Sequence, residues 1–374
     1  MTTATLPILS SERSFRARPG VTWRPSPYLH IADDRLYNPH TDQTLTQGEP
    51  GYAELRLLVD TKARDLAWSD EIEPLAEAGW LVDSETDLSR RFHLKYVSLE
   101  AHTVCNQECY FCPVSVSPRK PYFMPTETYE RIVGEIAALD EPIEAVFMIS
   151  YNEPTLDNRF LDQVRCIRDA GLPPSTLTNG TGLTPQRIDA LVEMGGLRFL
   201  SINISTLDRD RYRQDRGQDH LRQVLRNLDY AKDKPVGEDM HIVVLGMGDD
   251  THRKDYEELA ERFAGSRFDV RFWVANDRAG YLEVGLKAEG QGRLCGCEHM
   301  GSRPIHHLHI TPRAKCILCC QDYDEAAEVG DLNRNSVLEV LAGDAFAQAR
   351  RQVYGLEEAP ERFICHNCKF SLRT

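Results

Sequence analysis

Between residues 92 and 285 stretches with the pattern of strands alternate with stretches with the pattern of helices, and this alternation restricts the fold more than any other feature of the chain. Short apolar runs predict strands at 94–100, 144–150 (EAVFMIS), 175–179 (STLTN), 197–205 (LRFLSINIS), 240–245 (MHIVVL) and 269–274 (DVRFWV). Amphipathic helices are expected between them, the clearest placing Tyr129, Ile132, Val133, Ile136 and Ala137 at helical spacing. Six such units imply an α/β fold with a parallel sheet, either doubly wound or curled into a partial barrel. In both forms the chemistry belongs on loops that follow the C-terminal ends of strands.

The loop after the first of these strands reads CNQECYFC and carries Cys105, Cys109 and Cys112. Three thiols are one short of a closed tetrahedral metal site. Zinc would need a distant fourth ligand or a water. Burial as three small apolar residues fits poorly, because the spacing has neither the strand nor the helix period. An iron-sulfur cluster held by three thiolates, with one iron left open, suits the spacing best.

Composition agrees with an intracellular metal enzyme. Eleven cysteines in a chain of 374 residues suggest metal binding or catalysis before disulfides, because a reducing cytoplasm keeps thiols free. A cytoplasmic location is expected, because the first twenty residues lack the pattern of a signal peptide and no apolar run is long enough to span a membrane. With 44 basic against 58 acidic residues the net charge is -14, which disfavours nucleic acid and anionic membrane as partners.

Four regions follow: a flexible tail over 1–22, a small β-then-helix module over 27–84, the α/β region over 92–285, and a cysteine-rich segment over 290–374. The module should contain two short strands around Asp33 and Asp34, a helix facing inward with Tyr52, Leu55, Leu58 and Val59, and a second helix that ends at Gly79 with Pro74 in its first turn. The last region shows weak periodicity, and metal is expected to supply much of its stability.

Cys105-x3-Cys109-x2-Cys112, with Phe111 before the last cysteine, resembles the signature of the radical S-adenosylmethionine (SAM) superfamily. The resemblance continues in order along the predicted strand ends, through SYNEP (150–154), TNG (178–180), SINIS (201–205) and VANDRAG (274–280). It implies a partial (β/α)6 TIM-like barrel and a 4Fe-4S cluster whose open iron is chelated by SAM. One electron then breaks the sulfonium C5′-S bond, and a 5′-deoxyadenosyl radical abstracts hydrogen from a substrate. By the same resemblance Phe111, Asn152, Glu153, Asn203, Ser205 and Arg278 contact SAM, and a flavodoxin or ferredoxin-type protein donates electrons. Plainer roles are also available along these motifs: Asn179 and Gly180 as a turn pair, Ser205 as a helix cap and Arg278 in a surface ion pair.

The segment HLHITPRAKCILCCQDY, followed by VGDLNRNS and CHNCKF, is similar to the SPASM/twitch extension that holds auxiliary 4Fe-4S clusters. That resemblance implies Cys297, Cys319, Cys365 and Cys368 as ligands of one auxiliary cluster, with Cys295 competing for the place of Cys297 and Cys320 for that of Cys319. A zinc knuckle has the same CxxC spacing. Cys316 and Cys320 are left as thiols able to return a hydrogen atom to a substrate radical, whereas Cys166 fits core packing. The 27–84 module looks like the winged-helix-like peptide-recognition element fused to enzymes that mature ribosomally made peptides, which implies a precursor peptide as partner. A generic winged-helix module is the alternative. The other functions consistent with the sequence are oxidation or epimerisation of a small aminocyclitol or sugar alcohol, and a zinc-stabilised adaptor.

Overall fold

The computed structural model describes residues 20–290 and 292–374. The expected tail therefore lies, through residue 19, outside the described residues. The chain divides into two compact units, one ending at Leu88 and one running from Ser89 to Thr374.

The first unit contains β1 (Trp23–Pro25), β2 (His30–Ile31), β3 (Arg35–Asn38), β4 (Gln43–Thr46), α1 (Tyr52–Asp60), α2 (Glu73–Glu77) and β5 (Leu81–Asp83). β2, β3 and β4 form an antiparallel sheet in that order, and β1 pairs antiparallel with β5. The sequence predicts only two strands around Asp33 and Asp34. The third, β4, is QTLT, too polar and short to show an alternating apolar face. Tyr52 and Leu55 of α1 are buried, and Leu58 and Val59 pack on the same core, which includes Trp23, Leu36, Trp80 and Leu81. Pro74 occupies the first turn of α2, where a missing N–H leaves no intrahelical bond unmade.

The second unit opens with β6 (Tyr96–Leu99), α3 (Thr126–Ala137), β7 (Ala145–Phe147), α4 (Phe160–Asp169), β8 (Pro174–Thr178), α5 (Pro185–Glu193) and β9 (Leu197–Asn203). It continues through α6 (Arg209–Arg216), α7 (Leu221–Ala231), β10 (Gly237–Gly246), α8 (Asp250–Arg262) and β11 (Phe268–Val274). Strands β6 to β11 lie side by side in chain order, every pair parallel. Helix α3 buries Tyr129, Ile132, Val133 and Ile136, but leaves Ala137 exposed at its last position.

The remaining elements are β12 (Leu294–Cys297), α9 (Arg303–His306), β13 (His307–Ile310), β14 (Lys315–Ile317), β15 (Glu328–Asp331), α10 (Val337–Leu341), α11 (Asp344–Val353) and β16 (Ser371–Arg373). Strand β13 pairs parallel with β6, and β14 and β15 continue the same sheet antiparallel, so nine strands form one open sheet with β11 at one edge. The six parallel strands therefore form a partial barrel, with the first bonded to the C-terminal segment instead of to the sixth.

That segment is also more conventionally packed than its sequence predicts. Val337, Leu341, Phe346 and Val353 are buried, and Ser336 with Glu339 forms a capping box on α10. Its apolar residues are spread over short elements, which hides the periodicity. Among the described residues no helix is long and apolar enough to cross a membrane.

Candidate functional site

The loop carrying Cys105, Cys109 and Cys112 follows β6 and is held from both sides. Backbone N–H groups of Glu108 and Tyr110 donate to the carbonyls of Arg216 (3.0 Å) and Asp215 (3.1 Å) at the end of α6. Asn179 donates to the Asn106 side chain (2.8 Å), and Gln107 donates to the Tyr212 hydroxyl (2.9 Å). Gly217 closes α6 at φ 68°, and a Cβ there would stand 3.1 Å from the Glu108 Cβ, so the close approach of helix and loop requires glycine.

Burial pushes the Cys105 thiol up to about 12 and the Cys112 thiol up to about 11. It raises Cys109 too, against the pull of the Arg216 guanidinium, whose Nη1 lies 3.8 Å from the sulfur. Such thiols keep their protons at neutral pH unless a metal ion displaces them.

Next to this loop, Glu153 is buried and accepts from the Asn179 N–H (2.7 Å), the Thr178 hydroxyl (2.6 Å) and the Thr155 N–H (3.1 Å). Burial raises its pKa and these donors oppose the rise. Asn152 is turned back into its own loop, its Oδ1 accepting from the Ser150 N–H at 3.1 Å and its Nδ2 facing His102 at 3.4 Å. Asn203 and Ser205 both accept from Nη2 of Arg216, at 2.6 and 2.7 Å. The Arg216 guanidinium also lies 5.0 Å from the centre of the Phe111 ring, and its Nε is buried without a partner among the described residues. One buried cation thus joins Cys109, Phe111, Asn203 and Ser205. Sequence reasoning missed Arg216 because its helix is polar throughout, and only its spacing of four from Tyr212 hints at an inward face.

Arg278 has a left-handed backbone at φ 54°, and its Nε is also buried without a partner among the described residues. Its guanidinium lies 5.8 Å from the Tyr151 ring. Tyr151 meets Tyr323 edge to face at 4.8 Å, and Cys105 and Cys112 pack against this aromatic group. The Tyr151 hydroxyl donates to the carbonyl of Cys320, so this side chain touches both cysteine groups.

At the C-terminal end Cys297, Cys319, Cys365 and Cys368 line one cavity, together with Arg303. The Cys319 sulfur accepts from the Gln321 N–H at 3.5 Å, backbone N–H groups of Arg303 and His299 near Cys297 and of Phe370 near Cys368 oppose the rise in pKa that burial imposes on those thiols, and the Ser371 hydroxyl donates to the Cys365 carbonyl at 2.7 Å. Four converging thiols with N–H donors suit anionic sulfur ligands bound to a metal cluster. Cys320 lies beside this group. A hydrogen bond from Cys319 lowers its pKa, and the nearby guanidiniums of Arg303 and Arg278 add to the effect. Of the other sequence candidates, Cys295 is half-buried on β12 and does not line the cavity. Cys316 is fully buried within β14, and Cys166 is half-buried on α4.

Sequence-family profiles match residues 99–263 as the radical SAM superfamily and residues 297–369 as an iron-sulfur cluster-binding domain. The S-adenosyl-L-methionine-dependent 2-deoxy-scyllo-inosamine dehydrogenase of Niallia circulans is 32% identical over 276 residues, covering 73% of this chain and 91% of the relative. A GTP 3′,8-cyclase of Photorhabdus laumondii is 29% identical over 153 residues, and the match spans 40% of this chain and less than half, 46%, of the cyclase. The structure of Streptococcus suis SuiB bound to S-adenosylmethionine superposes with a TM-score of 0.57 at 12% identity, over 89% of this chain and 90% of SuiB. The two cysteine groups, the open parallel sheet and these matches together place the chain in the radical SAM superfamily, as an enzyme with a C-terminal iron-sulfur cluster-binding domain.

Proposed function

We propose that the enzyme generates a 5′-deoxyadenosyl radical from SAM and uses it to abstract hydrogen from a ribosomally synthesised precursor peptide. Cys105, Cys109 and Cys112 hold the first 4Fe-4S cluster, which supplies the electron that breaks the sulfonium C5′-S bond, received in turn from a flavodoxin or ferredoxin-type donor. Arg216 offers its unused Nε–H and its charge to the SAM carboxylate. Asn203 and Ser205 fix that guanidinium, and Phe111 covers its face. Glu153, its orientation set by donors from Thr155, Thr178 and Asn179, accepts from the SAM amino group, with Asn152 shaping the loop beside it. Arg278 and Tyr151 close the chamber on the side of the second cysteine group and exclude water from the reacting carbon. Cys297, Cys319, Cys365 and Cys368 hold one auxiliary cluster, and Cys320, next to Tyr151, is better placed than the sheet-buried Cys316 to meet a substrate.

The observation that carries the peptide reading concerns coverage. The likeness of fold to SuiB, which has also been solved bound to its precursor peptide SuiA, takes in 89% of the chain, more than residues 89–374 make up. It therefore extends into the first unit, which on this reading is the winged-helix-like module that receives the leader of the peptide. The second reading, dehydrogenation of a small aminocyclitol, rests on the 32% identity to the Niallia enzyme, a match no longer than the second unit alone.

Anaerobically reconstituted protein, reduced with SAM present, should release 5′-deoxyadenosine. A short peptide encoded beside the gene should bind the full chain and be modified, and a variant lacking residues 1–88 should cleave SAM without modifying it. Turnover of 2-deoxy-scyllo-inosamine without any peptide would replace the first reading with the second. Absence of SAM cleavage with both clusters loaded would remove both.

A further inference from the structure

Behind the four-cysteine cavity a buried guanidinium is surrounded by imidazoles, and the proposed reaction uses none of them. Arg303 is 7% exposed and contributes to the cavity wall. Its Nη1 donates to Nδ1 of His307 and to Nε2 of His309, each at 3.1 Å, and its Nη2 faces Nε2 of His299 at 3.5 Å. The rings of His307 and His309 are stacked with centroids 3.9 Å apart.

A guanidinium can only donate, so every imidazole nitrogen it bonds must carry a lone pair. Hydrogen bonding therefore assigns the tautomers. His307 carries its proton on Nε2, which meets the Ser98 hydroxyl at 2.9 Å. His309 carries its proton on Nδ1, and that atom is buried with no partner among the described residues. A ring nitrogen of His309 and the thiols of Cys319 and Cys320 all lie within 4.8 Å of one another, while Nδ1 itself is hydrogen-bonded to neither sulfur. That proximity fits either a metal ligand or a hydrogen-bond donor. The tautomer decides between them, because the Nε2 lone pair is taken by Arg303 and Nδ1 holds a proton, which leaves no lone pair for a metal.

We infer that His309 is a positioning residue whose orphaned Nδ1–H is satisfied by the auxiliary cluster at Cys319 when that cluster is bound and that, together with the charge of Arg303, it raises the cluster's reduction potential. This rests on the reading that the cavity holds that cluster. Reduction adds negative charge, and an N–H aimed at a ligand sulfur and a cation in the wall both stabilise the more negative state. Arg303 acts twice, as the charge and as the group that fixes which way the His309 proton points.

The test uses the full-length chain with Cys105, Cys109 and Cys112 replaced by alanine, so that only the cavity is loaded, at about four irons per chain for one 4Fe-4S cluster. Potentials are read by anaerobic redox titration followed by electron paramagnetic resonance. His309→Ala should keep the iron and lower the fraction reduced at fixed poise, with a tenfold change in the reduced-to-oxidised ratio corresponding to about 59 mV for a one-electron couple. His309→Asn, whose amide N–H falls near the position of Nδ1, should stay close to the parent. An exchangeable proton coupled to the cluster should be visible in the parent and in His309→Asn, and absent in His309→Ala. An unchanged potential in His309→Ala with its iron retained overturns the inference. Loss of iron in both variants also overturns it, by making His309 a ligand or a purely structural group. A parent that binds no iron would instead show the cavity reading to be at fault, an outcome distinct from either.

Discussion

At the scale of single residues the site depends on buried charge. Replacing Cys105, Cys109 and Cys112 by alanine should abolish release of 5′-deoxyadenosine and reduce iron from about eight to about four per chain, assayed by iron and sulfide analysis. Arg216→Met should weaken SAM binding about 10- to 100-fold, because hydrogen bonds to a charged group are worth about 1.5–3 kcal/mol. Iron content at the first cluster serves as the control for folding, and binding unchanged by Arg216→Met would contradict the proposed carboxylate contact. That the cysteines fall into two groups was legible in the sequence, because their spacing is itself chemical. Arg216 was not, because a buried arginine on a polar helix has the same local pattern as an exposed one, and its importance arises only where α6 meets the loop and the end of β9. Asn152 shows the converse, since it sits in a motif with the right type and place yet its side chain hydrogen-bonds its own loop.

At the scale of elements the cysteine loop is only as well placed as its neighbours allow. Gly217→Ala would force a side chain into a left-handed position, at a cost of about 1–2 kcal/mol, and push on Glu108. Lower thermal stability together with slower SAM cleavage is expected, measured by scanning calorimetry and product release. Glu141 offers a pH test at the start of the barrel, where it accepts from the Leu94 N–H at 2.8 Å and burial raises its pKa to about 7. A carboxyl whose folded pKa lies above its unfolded value stabilises the fold at low pH and loses that contribution as pH rises from about 4.5 through 7. Glu141→Gln keeps the acceptor without the charge, so its melting temperature should exceed that of the parent increasingly between pH 5 and 8. A difference independent of pH would show the carboxyl to be unperturbed. All six parallel strands were legible from apolar runs, to within a few residues. β4 was hidden by its polar composition, and the pairing of β13 with β6 by the 210 residues that separate them, which no local pattern spans.

For the whole molecule, each unit has its own buried core, that of the first built around Leu36, Leu55, Trp80 and Leu81. Residues 89–374 expressed alone should therefore fold, bind both clusters and cleave SAM. Aggregation of that fragment under anaerobic conditions would show that the first unit is needed for more than substrate capture. The sequence suggests separate regions over 27–84 and 92–285, and the structure divides the chain after Leu88.

The bond between β13 and β6 also bears on how the protein is made. His307 aligns with Tyr96 and Ile310 with Leu99, so the strand that leads into the first cysteine loop keeps a bare edge until the ribosome has moved about two hundred residues further. An unpaired apolar strand edge invites pairing with other chains, and a contact between residues so far apart in sequence forms late. During synthesis the nascent barrel therefore stays open at the strand that precedes the first cysteines until the C-terminal segment emerges. A chain stopped before residue 307 would keep all three cysteines of that loop but never cover the strand beneath them, and it should accumulate as aggregate instead of as a smaller enzyme.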